Sequence, residues 1–201
     1  MNTDKEKLFN FDLTTTQYNE NTMLILTIIA NDQTRIVLFV TAVLLNFGWD
    51  IMEANFEVMG DRKVKEIFII RNEKEERMTA SDLKMIHNDL DSLLSEKISI
   101  KEYQTRLNYK KNESDSYKPQ INIFNPKPVD STVLDIRTKD RPGLLFSIAL
   151  ILVELQIDLI SVTAKTDSSN VRDSFLLRKN GSSPLDESEI EVLLSKLEKV
   201  L

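Results

Sequence analysis

One block of this chain occurs twice, and that repeat limits the possible folds more than any other feature. Asp32 and Asp140 stand at an offset of 140 − 32 = 108, and Asp50 and Asp158 at the same offset. Past the next turn, Val64-Lys65-Glu66-x-Phe68 matches Val171-Arg172-Asp173-x-Phe175 at 171 − 64 = 107, so the first copy's hairpin is one residue longer. A repeat that keeps its order of elements predicts two like domains. In each copy the apolar spacing passes from alternation to a helical stripe and back, which reads as strand, helix, strand, strand, helix.

In chain order, Phe9, Phe11 and Leu13 alternate within residues 8–13 and predict a short strand in an otherwise charged, Thr- and Asn-rich leader. A structureless tail with stray aromatics is the other reading. Residues 23–30 form the first firm strand, apolar on both faces, as suits a strand inside a sheet or against a partner. Asn31-Asp32-Gln33-Thr34 makes a corner, and Ile36 to Phe47 is helical, with Gly48 as a left-handed cap. Strands over 50–59 and 64–71 flank Gly60-Asp61, and Thr79-x-x-Asp82 caps a helix whose inner stripe is Leu83, Ile86, Leu90 and Leu93. Residues 97–119 read as a frayed helix end and a linker, and 120–124 as a short strand. The second copy gives strand 131–139, corner 140–143, helix 144–156, strands 158–166 and 171–178, and a last helix opened by Ser183-Pro184-Leu185-Asp186, with Pro at its first position.

The second corner, Asp140-Arg141-Pro142-Gly143-Leu144-Leu145, carries the chemistry. Gly lets a backbone approach another surface closely, and the free N–H groups of an opening helix turn attract a carboxylate or phosphate. Taken with Val171-Arg172-Asp173-Ser174-Phe175 about thirty residues on, this stretch resembles an ACT domain, a small ligand-sensing regulatory module. In particular it resembles the C-terminal ACT repeats of the bacterial PII-protein uridylyltransferase. The resemblance implies an α+β fold of two ferredoxin-like (βαββαβ) ACT units, antiparallel sheets with helices on one face. The expected division is an N-terminal segment 1–21 with a possible added strand, a first ACT domain 22–125 and a second 126–201. The family pattern closes each unit with a fourth strand after its last helix. Residues 8–13 and 120–124 are two spare strands, one for each sheet, with the assignment open.

The resemblance also implies a ligand, often an amino acid, held between ACT units where the corner of one domain faces the start of strand 2. Matched residue by residue, it points to Asp140, Arg141, Pro142, Gly143, Leu144 and Leu145, with Ile157, Asp158 and Leu159. The corner N–H groups would receive the ligand's carboxylate, and Asp140 or Asp158 its ammonium. Two features depart from the pattern: Gln156 replaces a glycine before strand 2, and Asp158 stands where asparagine is common. In the first copy Arg35 occupies the place of Gly143, so that corner is expected to be structural rather than ligand-binding, with an anion held by Arg35 itself as the other reading. Trp49 is expected in the core, with the wall of a pocket or interface as the other reading, and His87, the only histidine, at a surface or helix boundary without further metal ligands.

The net charge of −6, with acids and bases interspersed, disfavours nucleic acid. The chain has no cysteine and four glycines, which leaves neither thiolate chemistry nor a phosphate-cradling loop. No apolar stretch reads as a signal core or a membrane span. The expectation is a non-catalytic, cytoplasmic, allosteric regulatory protein with no cofactor. It would bind an amino acid or similar small ligand at an ACT–ACT interface, signal to a protein partner and form a homodimer. The alternative is an assembly module with no ligand. The apolar faces bearing Ile25 and Ile29 are expected to join the two sheets, or two chains.

Overall fold

The computed structural model describes residues 11–19, 21–29, 33–58, 63–72, 76–107, 118–167 and 170–201. The first half contains β1 (Phe11–Tyr18), β2 (Asn21–Ile29), α1 (Gln33–Asn46), β3 (Trp49–Val58), β4 (Lys63–Asn72), α2 (Ala80–Leu94) and α3 (Ile100–Gln104). The second contains β5 (Gln120–Phe124), β6 (Thr132–Lys139), α4 (Leu144–Glu154), β7 (Ile157–Asp167), β8 (Asn170–Lys179) and α5 (Glu187–Val200). All eight strands form one antiparallel sheet in the order β1-β2-β4-β3-β7-β8-β6-β5.

Each half is a ferredoxin-like unit whose edge strand has moved from the end of the unit to its start. β1 pairs with β2 across a tight connection, and β5 pairs with β6. The spare strands therefore complete the two sheets, the N-terminal one in the first half. β1 runs on through Thr14-Thr15-Thr16-Gln17-Tyr18, beyond the stretch that alternation marked, while Leu8, Phe9 and Asn10 lie outside the described residues. Only Leu13 of β1 is buried. An edge strand facing water needs strand-favouring residues such as threonine more than an apolar stripe, which is why the pattern fades there. His87 of α2 stacks on Phe11, ring centroids 4.5 Å apart, and ties β1 to its helix.

The halves join through β3 and β7, not through the strand bearing Ile25 and Ile29. β1 covers the outer side of β2, so β3 is the free edge of the first sheet. Glu53 pairs with Lys165, Ala54 with Ala164 and Asn55 with Thr163. Asn55 and Thr163 are repeat counterparts (163 − 55 = 108), so a pseudo-twofold axis passes through that pair. α1 and α4 pack on each other above it. Val37, Leu38, Val40, Thr41, Ala42, Val43 and Leu44 of α1 are all buried, which leaves this helix no polar face, as befits one enclosed by sheet and helices.

Three local expectations are revised. Pro184 lies ahead of α5, which is capped instead by Asp186 in a reciprocal box with Glu189; the carboxylate at the cap sets the helix start. The polar run after α2 carries a short helix, α3. Ser99 and Glu102 form a second capping box, and Tyr103, 1 % exposed, donates its hydroxyl to Asp89 at 2.6 Å. The 108 offset holds for the helices, but Leu24 lies opposite Phe68 and Leu134 opposite Phe175, an offset of 134 − 24 = 110. Between β2 and the helical positions common to both copies, the first copy thus has two residues more than the second.

Candidate functional site

Those two extra residues make the corners unlike. α1 and α4 end at counterparts, Asn46 and Glu154, but α1 has 14 residues and α4 has 11. α1 is already helical at Gln33, Thr34 and Arg35, whereas the matching Arg141, Pro142 and Gly143 precede α4. Gly143 has φ +75°, a left-handed conformation that no α-helix continues through and that side chains other than glycine adopt at a cost. One extra helical turn therefore occupies the first corner, and the second lacks it.

The first corner is closed. The Leu159 N–H donates to Thr34 Oγ1 at 2.7 Å, and the Thr34 hydroxyl donates to the Ile157 carbonyl at 3.4 Å, all of it buried. Asp158 Oδ2 accepts from the Gly181 N–H at 2.6 Å. Arg35 reaches Glu96 at 3.2 Å and lies over the Phe39 ring, 5.4 Å from its centroid. Ile157, Asp158 and Leu159 thus lie at the closed corner, apart from the other six candidate residues.

The second corner is open. Asp140, Arg141, Gly143, Leu144 and Leu145 line a pocket between the halves, and Pro142 belongs to the same turn without lining it. Facing them are Trp49, Asp50 and Ile51 at the start of β3, the repeat counterparts of Ile157, Asp158 and Leu159. Thr41 and Leu45 of α1, Phe146 of α4, Ala164 and Thr166 of β7, and Val171 and Asp173 of β8 complete the wall. The pocket encloses about 440 Å³ of non-atom space, part of it open to solvent.

Part of the polar lining of this pocket is left unsatisfied from within. Gly143 caps α4 with no side-chain hydrogen bond, whereas Thr79, Ser99 and Asp186 each close a full capping box on their own helices. Leu144 N–H turns back to the Arg141 carbonyl at 3.2 Å. Arg141 donates to the Val200 carbonyl at 2.6 Å, which fixes the corner to the end of α5. Asp173 is 5 % exposed, and its Oδ1 has no hydrogen-bond partner. Burial pushes its carboxyl up to about 7; the Lys165 N–H opposes this, and the negative charge of Asp140 adds to it. Asp140 is itself raised by burial, against the pull of Arg71 and of the Arg141 N–H.

Of the candidate residues only those of the second corner line this pocket; Trp49, Asp50, Ile51, Phe146, Asp173 and the walls from α1 and β7 were not among them. Trp49 is 5 % exposed, a core residue that is also pocket wall. For Asp173 a signal existed. Val171, Asp173, Phe175 and Leu177 alternate on the buried face of β8, and an acid takes the matching inward position, Glu66, in β4. Glu66 is fully buried with neither oxygen paired, and burial pushes its carboxyl up to about 8. Among the described residues no cluster of three or more His, Cys, Asp or Glu could hold a metal ion. Nor, among those residues, is any helix long and apolar enough to cross a membrane.

No family model matches this chain. It is similar to part of the bifunctional uridylyltransferase/uridylyl-removing enzyme of Vibrio atlanticus, with 24 % identity over 166 residues, 83 % of this chain and 19 % of that enzyme. The enzymes of the same description from Pseudomonas entomophila and Pseudomonas putida are 32 % identical over 85 residues and 30 % over 86. Those matches cover 42 % and 43 % of this chain and 9 % of each enzyme. The chain therefore spans a fifth or less of the length of these relatives. A crystal structure of an unknown protein from Galdieria sulphuraria aligns over 89 % of this chain and 90 % of that one, at 9 % identity and a TM-score of 0.29, too low to inform the fold.

Proposed function

We propose that this chain is a non-catalytic, cytoplasmic regulatory module: a tandem pair of ACT units that binds one amino acid in the pocket between its halves and passes the change to a protein partner. The observation that carries this reading is the open corner itself. An uncapped helix start, Gly143 to Leu145, lines one pocket with the half-buried Asp140 and the buried Asp173, and the other half supplies part of the wall. A zwitterion matches both ends, its carboxylate at the positive helix terminus and its ammonium among the acids. The similarity to a small part of much longer uridylyltransferase/uridylyl-removing enzymes supports a regulatory rather than a catalytic part.

In this reading the first corner is structural, because Thr34 already takes the backbone groups that a ligand would use. The units divide within residues 108–117, since β5 belongs with β6. The chain supplies both sides of its own interface, so one ligand binds per chain. The test is a thermal-denaturation screen with each of the twenty amino acids. A ligand of the folded state raises the melting temperature by mass action, and a hundredfold excess over Kd adds about 2.7 kcal/mol. A flat response to all twenty, repeated by calorimetry, leaves the assembly-module reading in its place.

A further inference from the structure

We infer that Asp173, with Asp140 beside it, forms a receptor for a protonated amine in the pocket, so that a ligand must carry a free ammonium group and expels a proton from the protein on binding. This rests on the amino-acid reading above and adds what fixes the ligand's amine.

The argument begins with an unpaired charge-bearing group. A buried carboxylate oxygen without a donor is costly, and native proteins rarely keep one idle. Asp173 Oδ1 is such an atom, and its side chain lines the pocket. The volume agrees: the pocket that Asp173 lines holds about 440 Å³, part of it open to solvent. Charge agrees as well. Asp140 lies close enough to raise the Asp173 carboxyl, and Asp50 faces the same space from β3. The cations nearby are engaged: Arg141 reaches the Val200 carbonyl, and Arg71 acts on Asp140. The remaining walls, from α1, α4 and β7, contribute Thr41, Leu45, Leu144, Phe146 and Thr166, none of which titrates. An arriving ammonium needs the ionised carboxylate. With the folded carboxyl near 7, roughly half of the free protein is protonated there, and binding releases that proton by linkage.

The experiment takes the amino acid with the largest melting shift in the twenty-member screen and its 2-hydroxy acid analogue as probes. Both are titrated calorimetrically into the full chain at pH 6, 7 and 8, in two buffers of different ionisation enthalpy. Expected are release of roughly half a proton at pH 7, a rise in affinity approaching tenfold from pH 6 to pH 8, and at least a tenfold loss for the hydroxy acid. Asp173→Asn keeps the shape without the charge, and should abolish both the proton release and the pH dependence. An amino acid that binds with no proton release, or no more tightly than its hydroxy acid, overturns the amine receptor and leaves the ligand reading standing. Binding by none of the twenty overturns both. Should the Asn variant not fold, the wild-type proton release and the hydroxy-acid comparison decide alone.

Discussion

Glu66→Met should make stability markedly less sensitive to alkaline pH. Glu66 points into the helix-covered face of β4, fully buried, with neither oxygen paired, and burial pushes its carboxyl from 4.5 to about 8. The folded value lies above the unfolded one. The group's contribution is therefore intact below pH 4.5, is lost progressively as pH rises to 8, and stays lost above it. Each unit of displacement corresponds to ~1.4 kcal/mol, so the full loss is on the order of 5 kcal/mol, most of which falls between pH 5 and pH 8. Methionine replaces the carboxyl with an apolar side chain of similar length that does not titrate. Asp173, also raised, titrates in both proteins and cancels from the difference. The assay is urea unfolding of wild type and variant at pH 5 and pH 8. The stability gap in favour of the variant should widen by about 3 kcal/mol, a midpoint shift above ~1 M at ordinary slopes. A gap independent of pH would mean that Glu66 has a partner when folded, and the reasoning from burial fails.

Three further outcomes follow from the backbone. Thr34→Val keeps the shape but leaves the buried Leu159 N–H without its acceptor. It should cost ~1–3 kcal/mol and speed hydrogen exchange at Leu159; protection unchanged at that amide counts against the closed corner. Gln156 holds φ +54° where its counterpart Gly48 holds +71°, so Gln156→Gly relieves ~1 kcal/mol of strain. The melting temperature should rise by a few degrees, and a fall would show the glutamine side chain to be contributing elsewhere. Deleting residues 1–19 removes β1, exposes the edge of β2 and opens the core at Leu13. Sedimentation should then reveal association together with a lower melting temperature, and unaltered behaviour would demote β1 to a passive strand.

What the sequence made legible was periodic. The apolar run of Met23 to Ile29, the alternating strand 131–139 and the capping pair Thr79 and Asp82 all name elements that exist. The twofold repeat marked the two ferredoxin-like units and even the equivalence of the two corners. It did not give the partner of each edge. Which strand joins the halves depends on which edge stays uncovered, and that was decided by β1, whose threonines leave no apolar trace. Nor did it separate the candidate site correctly by half. Ile157 to Leu159 and Trp49 to Ile51 occupy the same place in their repeats, and only the antiparallel meeting of β3 with β7 places the first repeat's copy opposite the second repeat's corner.

The pseudo-twofold axis makes the two corners alternatives built from one plan, and a few residues account for their difference. In the first copy, two residues added after β2 let α1 begin a turn earlier, and a threonine at its second helical position satisfies the facing strand from within the chain. In the second, Pro142 and Gly143 stop the helix short, and the turn that would have sealed the corner is missing. The buried acid was kept in both halves, as Glu66 and Asp173, although an unpaired carboxylate destabilises each. In the half where the corner is sealed the acid is wholly enclosed and raised to about 8; in the half where the corner is open it lines a cavity and is raised only to about 7. A purely structural role gives no reason to keep Asp173 beside Asp140, whose charge works against it. A role for both in receiving a cation gives one, and it places that cation at the open corner rather than the closed one.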